Sequence, residues 1–314
     1  MSKIPKDILD WLLQGDVAIQ HQVKKDLLLA NKSEVRKLQS RIEKEGWGKH
    51  FLEKRLPNGY WGNPEYYYQP KWISTHYTLL DLRNLEIRPD QAQIQESLKI
   101  ALKLSLDKDG GLNISRGNLP ADVCVNGMIL NFASYFQAEE KPLNQIVDYL
   151  LKMQMSDGGY NCSHYRGGKK SSVHSTLTVL EGLLEFKRQG HQYRLSEIEE
   201  AEKDAQEVLL KRHIFKSMDG EKILDHKMTM LSHPDRWKLN VLRALDYFRK
   251  TELPWDDRMN DALEIVLKKR RSNGSFPVQA KHTGEVHFDM EKTGSDSRWN
   301  TLRALRVLKF YEKL

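Results

Sequence analysis

Apolar residues recur at helical spacing along nearly the whole chain, as in Ser97-Leu98-Lys99-Ile100-Ala101-Leu102-Lys103-Leu104 and Asp261-Ala262-Leu263-Glu264-Ile265-Val266-Leu267. No stretch sustains the alternation of a half-buried strand, so the expected class is all-α. Five segments repeat one layout: a Gly-containing loop, a Ser or Asp, a bulky residue two positions on, then an apolar helix. They read STHYTLLDL, DVCVNGMIL, SVHSTLTVL, DRWKLNVLRAL and SRWNTLRALRVL, begin at Ser74, Asp122, Ser172, Asp235 and Ser297, and lie 48, 50, 63 and 62 residues apart. Each first residue carries a short side-chain oxygen that can accept an orphan amide hydrogen at a helix start. Asp16, in GDVAIQHQVKKDLLL, stands 58 residues before Ser74 and opens a sixth such helix.

The pattern predicts preceding helices over about 5–13, 34–56, 90–106, 143–153, 196–213 and 256–269, which makes six helix pairs. One pair cannot bury its apolar faces alone, so the pairs stack, either as an open array or as a closed double ring. The helices that start at Ser74, Ser172 and Ser297 are more apolar than those before them, which favours closure. The expected architecture is an α6/α6 double-ring toroid of six hairpins, one domain over 1–314, with the weakest helix pattern in the first hairpin, about 1–30.

Closure would gather the six helix starts at the mouth of a central cavity, where free amides and helix dipoles favour an anionic ligand. Two residues past the caps stand His76, Cys124, His174, Trp237 and Trp299, and the aromatic run Trp61, Tyr66, Tyr67, Tyr68 and Trp72 feeds the first of these helices. A bulky first-turn residue is equally suited to sealing the top of a core. Asp122 and Cys124 in one repeat, with His174 in the next, combine carboxylate, thiolate and imidazole, the donor chemistry of a zinc site with one open position. Each also has an ordinary reading, as cap, small apolar residue and pocket wall.

The stretches NGYWG (58–62), DKDGGLN (107–113), MQMSDGGYNC (153–162) followed by SSVHSTLTVLEGL (171–183), and RSNGSF (271–276) followed by SRWNTLRAL (297–305) carry a family likeness. Over about 40–314 the chain resembles the α/α toroid of terpenoid cyclases and protein prenyltransferase β subunits. That resemblance implies zinc on Asp122, Cys124 and His174, a diphosphate contact from Arg116, and a second phosphate contact from His76. It implies an apolar substrate with an anionic head group, bound in the central cavity. The chain departs from the family in having no DxDD acid motif, and its last two repeats carry Arg-Trp, which would present Arg236 and Arg298 near the pocket rim.

Composition narrows the remaining choices. The 314 residues hold 50 Lys+Arg against 43 Asp+Glu, a formal charge of +7, but the basic residues are interleaved with acids and no nucleic-acid motif occurs. Two cysteines exclude a disulfide framework and suit reduced thiols. No run of eighteen apolar residues and no apolar leader is present, so the expectation is a cytoplasmic protein without a membrane span, monomer or homodimer. The loop 271–296 concentrates His282, Glu285, His287, Asp289, Glu291 and Asp296. It motivates a second reading, a glycoside hydrolase or lyase using two carboxylates among Asp122, Asp235, Glu285 and Asp289 at roughly 5 to 9.5 Å. A non-catalytic helical-repeat binding scaffold is the third.

Overall fold

The computed structural model describes residues 4–115 and 118–314. Its helices are α1 (Lys6–Leu13), α2 (Val17–Gln22), α3 (Lys32–Arg41), α4 (Gly46–Glu53), α5 (Thr75–Asn84), α6 (Ala92–Leu102), α7 (Val123–Tyr135), α8 (Glu140–Lys152), α9 (Val173–Arg188), α10 (Leu195–Lys211), α11 (Val241–Lys250), α12 (Asn260–Leu267) and α13 (Arg298–Phe310). The only strands among the described residues are the two-residue pair β1 (Phe276–Pro277) and β2 (Asp296–Ser297), which are antiparallel. The chain divides into two compact units, one of residues 1–54, 84–88 and 213–314, the other of residues 55–83 and 89–212.

In the unit of residues 55–83 and 89–212, α7 and α9 lie side by side and are buried on every face over Val125–Ser134 and Ser175–Leu180. Helices α8 and α10 bury one face only, with Leu143, Ile146, Val147 and Leu150 on the first and Ile198, Ala201, Ala205 and Leu209 on the second. This inner and outer division is the one the apolar patterning predicts. Contact between α7 and α9 is close because Gly127 and Gly182 face each other: a Cβ on Gly182 would lie 2.4 Å from the Gly127 carbonyl oxygen.

A repeated turn delivers the chain to four of the inner helices, α5, α7, α9 and α13. Leu56, Asp107, Met155 and Arg271 each donate an N–H to the carbonyl four residues on, at 2.8 to 2.9 Å, and the glycine in between, Gly59, Gly110, Gly158 or Gly274, has φ of 82 to 92°. That left-handed backbone carries little penalty only for glycine. Two residues past each glycine, the N–H of Trp61, Leu112, Tyr160 or Phe276 is accepted by Thr75, Asn126, Thr176 or Thr301 in the first turns of the following inner helix, at 2.9 to 3.0 Å.

In the unit of residues 1–54, 84–88 and 213–314, the first hairpin packs on the last helix. Arg306 of α13 donates to Gln22 at 2.6 Å and pairs with Asp26, Lys309 donates to the Leu27 carbonyl at 2.9 Å, and Arg298 donates to the Trp11 carbonyl at 2.9 Å. First and last repeats thus meet, which an open array with two free ends does not do.

Several helix starts differ from expectation. The segment 34–56 is two helices, α3 and α4, broken at Gly46, whose φ of 63° places it against the Asp16 carboxylate. Asp16 itself caps α2 by accepting from Ala18 N–H at 2.8 Å, and Ser297 caps α13 through Asn300 N–H at 2.8 Å. Asp235 is not a cap. The helix after it begins at Val241 with Asn240 as cap, because the Asp235 carboxylate is buried and pairs with Arg303 while Asn240 donates to it. Trp237 therefore sits in a turn ahead of α11, not in its first turn. Among the described residues, no helix is long and apolar enough to cross a membrane.

Candidate functional site

Asp122 and Ser172 occupy the N-cap positions of α7 and α9, yet neither side chain makes a capping bond. At α7 the capping acceptor is a sulfur: Cys124 N–H points at Cys162 Sγ, 3.1 Å away, from the loop ahead of α9. Ser175 Oγ donates to the same sulfur at 3.4 Å. Donation from Cys124 lowers the Cys162 thiol, while the same contact and burial raise Cys124, so Cys162 is the more acidic of the two.

Asp122 is left available for other work. Burial raises its carboxyl above the ordinary range, against the lowering pull of Lys71, His164 and Arg166. Tyr68 links this acidic corner to an aromatic cluster, because its phenol lies in the field of Asp122, Cys124 and Cys162 and hydrogen-bonds to the Tyr77 hydroxyl at 3.0 Å. His76 sits within that cluster, ringed by Tyr67, Tyr68, Tyr77 and Phe132 at centroid distances of 5.0 to 5.7 Å. Its Nδ1 meets the Tyr67 hydroxyl at 3.0 Å, and its Nε2 is buried without a hydrogen-bond partner. Burial drives the imidazole down to about 3, so it is neutral at physiological pH. In the tautomer in which the Tyr67 hydroxyl donates to Nδ1, Nε2 carries the proton and presents a donor. Trp72 closes one side, edge-on to Tyr77 at 4.8 Å, and the Lys71 ammonium lies 5.7 Å from the Tyr68 ring centre and 5.9 Å from that of Trp72.

The structure thus brings His76, Asp122, Cys124 and Trp72 of the expected residues into one unit, near the starts of α5 and α7. Arg116 lies outside the described residues. His174 is in the first turn of α9, where its carbonyl accepts from Thr178. Among the described residues, no group of three His, Cys, Asp or Glu side chains could hold a metal ion.

The other unit holds the remaining expected residues. Trp299 is stacked on His233 with centroids 4.9 Å apart, and Trp47 lies 6.4 Å from both. Arg298 is spent on Trp11, its guanidinium 4.6 Å from the ring centre, and so is engaged in packing where a free cation at a rim was expected. Arg236 is buried in the turn with φ of 59°.

Two of the four carboxylates of the second reading are engaged in ion pairs: Asp235 pairs with Arg303, and Asp289 with Lys281 at 2.8 Å. In the same loop, Glu291 accepts from Ser297 and from Trp299 N–H, and Asp296 from Arg271, Asn273 and Ser275.

Sequence reasoning passed over Cys162, Ser175, Lys71 and His164 as site residues. Cys162 had a usable signal, as the only other thiol in the chain and the last residue of MQMSDGGYNC.

No family model matches the chain, and no curated protein matches it. Among solved structures, a glycosyl hydrolase family 88 protein from Bacteroides vulgatus is similar over 100% of this chain and 93% of that one, at 12% identity and a TM-score of 0.54. A type II terpene cyclase from Scytonema, in complex with geranylgeranyl dihydroxybenzoate, is similar over 96% of this chain and 88% of that one, at 15% identity and a TM-score of 0.46. Identities this low speak for fold alone. What the chain shares with the first of these structures is an all-α fold built of helical hairpins.

Proposed function

We propose that the cluster near the starts of α5, α7 and α9 binds a small molecule with an apolar body and an anionic head group. The observation that carries this reading is the buried, partnerless Nε2 of His76, set among tyrosines of which Tyr68 lies in the field of Asp122, itself in the field of Lys71 and Arg166. An unsatisfied buried donor costs about 1–3 kcal/mol, a cost that an oxygen of a bound molecule would remove. Aromatic faces suit the apolar body, and the two cations with the helix-start amides suit the charge. Asp122 is the group suited to hand a proton to a bound molecule, since burial raises its carboxyl above the ordinary carboxylate range.

Calorimetric titration with geranylgeranyl diphosphate and with inorganic diphosphate tests the reading. We expect the prenyl compound to bind more tightly than diphosphate alone, and Lys71→Ala and Arg166→Ala each to weaken it by roughly tenfold, about 1.4 kcal/mol. Binding of neither compound, or of an acidic disaccharide in their place, would overturn it. Zinc on Asp122, Cys124 and His174 is a second reading of the same corner, supported by Asp122 and Cys124 standing two residues apart at the start of α7, and it would require His174 to move in, since the three form no metal-holding group as they stand. One equivalent of zinc in the native protein, absent from Cys124→Ala, would assign those ligands; its absence from both would dismiss them.

A further inference from the structure

The two cysteines are 38 residues apart in sequence and hydrogen-bonded to one another in the fold. They are the only thiols in the chain, and both are partly buried with some access to solvent. Cys124 is fixed in the first turn of α7, while Cys162 belongs to the loop that also carries His164 and Arg166. Two donors converge on Cys162 Sγ: the Cys124 amide at 3.1 Å and the Ser175 hydroxyl at 3.4 Å. Such donors stabilise negative charge on sulfur and orient it, and the residue that supplies the amide, Cys124, carries the second thiol.

We propose that Cys124 and Cys162 form a reversible redox pair that closes to an intramolecular disulfide when the protein meets a peroxide. The Cys162 thiolate attacks one oxygen of hydrogen peroxide. An S–O bond forms, the O–O bond breaks, and hydroxide leaves with a proton as water. The Cys124 thiol then attacks the sulfenic sulfur and gives its proton to the departing sulfenic oxygen. An S–S bond of about 2.05 Å forms and the sulfenic oxygen departs as a second water. In sum, two thiols give up two electrons and two protons to one peroxide, which becomes two waters, and a small dithiol reductant reverses the change. Closure pins the 162–170 loop to the start of α7. The proposal does not rest on ligand binding at the neighbouring cations, so either can fail alone.

The test treats the reduced full-length protein with a modest excess of hydrogen peroxide, then with a thiol-specific maleimide under denaturing conditions, and reads intact mass. The expected result is a monomer lighter by two hydrogens that takes up no maleimide, yields a peptide joining Cys124 to Cys162, and regains both labels after dithiothreitol. Cys124→Ser should instead carry Cys162 on to the sulfinic acid, which dithiothreitol leaves in place. Wild-type protein that gains oxygen on one cysteine while the other still labels, that links two chains together, or that keeps both thiols would overturn the proposal.

Discussion

His76 and His233 are the residues whose burial has the plainest thermodynamic consequence. Each is held neutral in the fold with its imidazole down at about 3, and His287 is lowered to about 4, in every case chiefly by loss of water. An unfolded histidine titrates near 6.5, so between about pH 6.5 and those folded values the unfolded chain binds more protons than the native one. Stability should therefore be full above about pH 7 and fall as the solution is acidified, by about 1.4 kcal/mol per pH unit for each histidine in its titrating window. Urea unfolding at pH 7 and pH 5 checks this, and His233→Phe should flatten the slope; an unchanged slope would mean that His233 is not the group responsible. At this scale the sequence was informative where a residue's place in the repeat decides its surroundings, as for His76 and Trp299. It was silent on Cys162 as the cap of α7, because a contact across 38 residues leaves no trace in local periodicity. Asp235 misled for a related reason: a short acidic side chain ahead of an apolar run reads as a cap, but here Arg303, 68 residues away, claims the carboxylate and Asn240 does the capping.

Among elements, the α7 and α9 pair shows how small residues set a spacing. Gly127 would bring a Cβ within 2.9 Å of the Val179 Cα, and Gly182 lies closer still to the Gly127 carbonyl. Since the obstacle in each case is backbone, no rotamer change relieves it. We expect Gly182→Val to destabilise the protein by about 1–3 kcal/mol, measured by chemical denaturation, whereas Gly190→Ala, in open space, should cost less from packing although its φ of 87° strains any side chain. The helices were legible because their apolar positions follow one period. The glycine turns were legible as a recurring motif, but their bond pattern was not, since the accepting Thr or Asn lies in a different element from the loop it fastens.

Over the whole molecule, the first hairpin and the last helix belong to one unit, joined by Arg306 with Asp26 and Gln22. Arg306 is buried at 8% exposure, so Arg306→Ala would strand two polar partners. A loss of about 2–4 kcal/mol is expected from calorimetry or urea titration, against little change for Lys268→Ala, whose pair with Glu264 is exposed. The same junction bears on how the protein is made. A ribosome delivers the chain from one end, and the unit of residues 55–83 and 89–212 has all its parts once residue 212 has emerged. The other unit is completed only when α13 arrives, so Gln22, Asp26 and the Leu27 carbonyl spend most of synthesis without the Arg306 and Lys309 that later engage them.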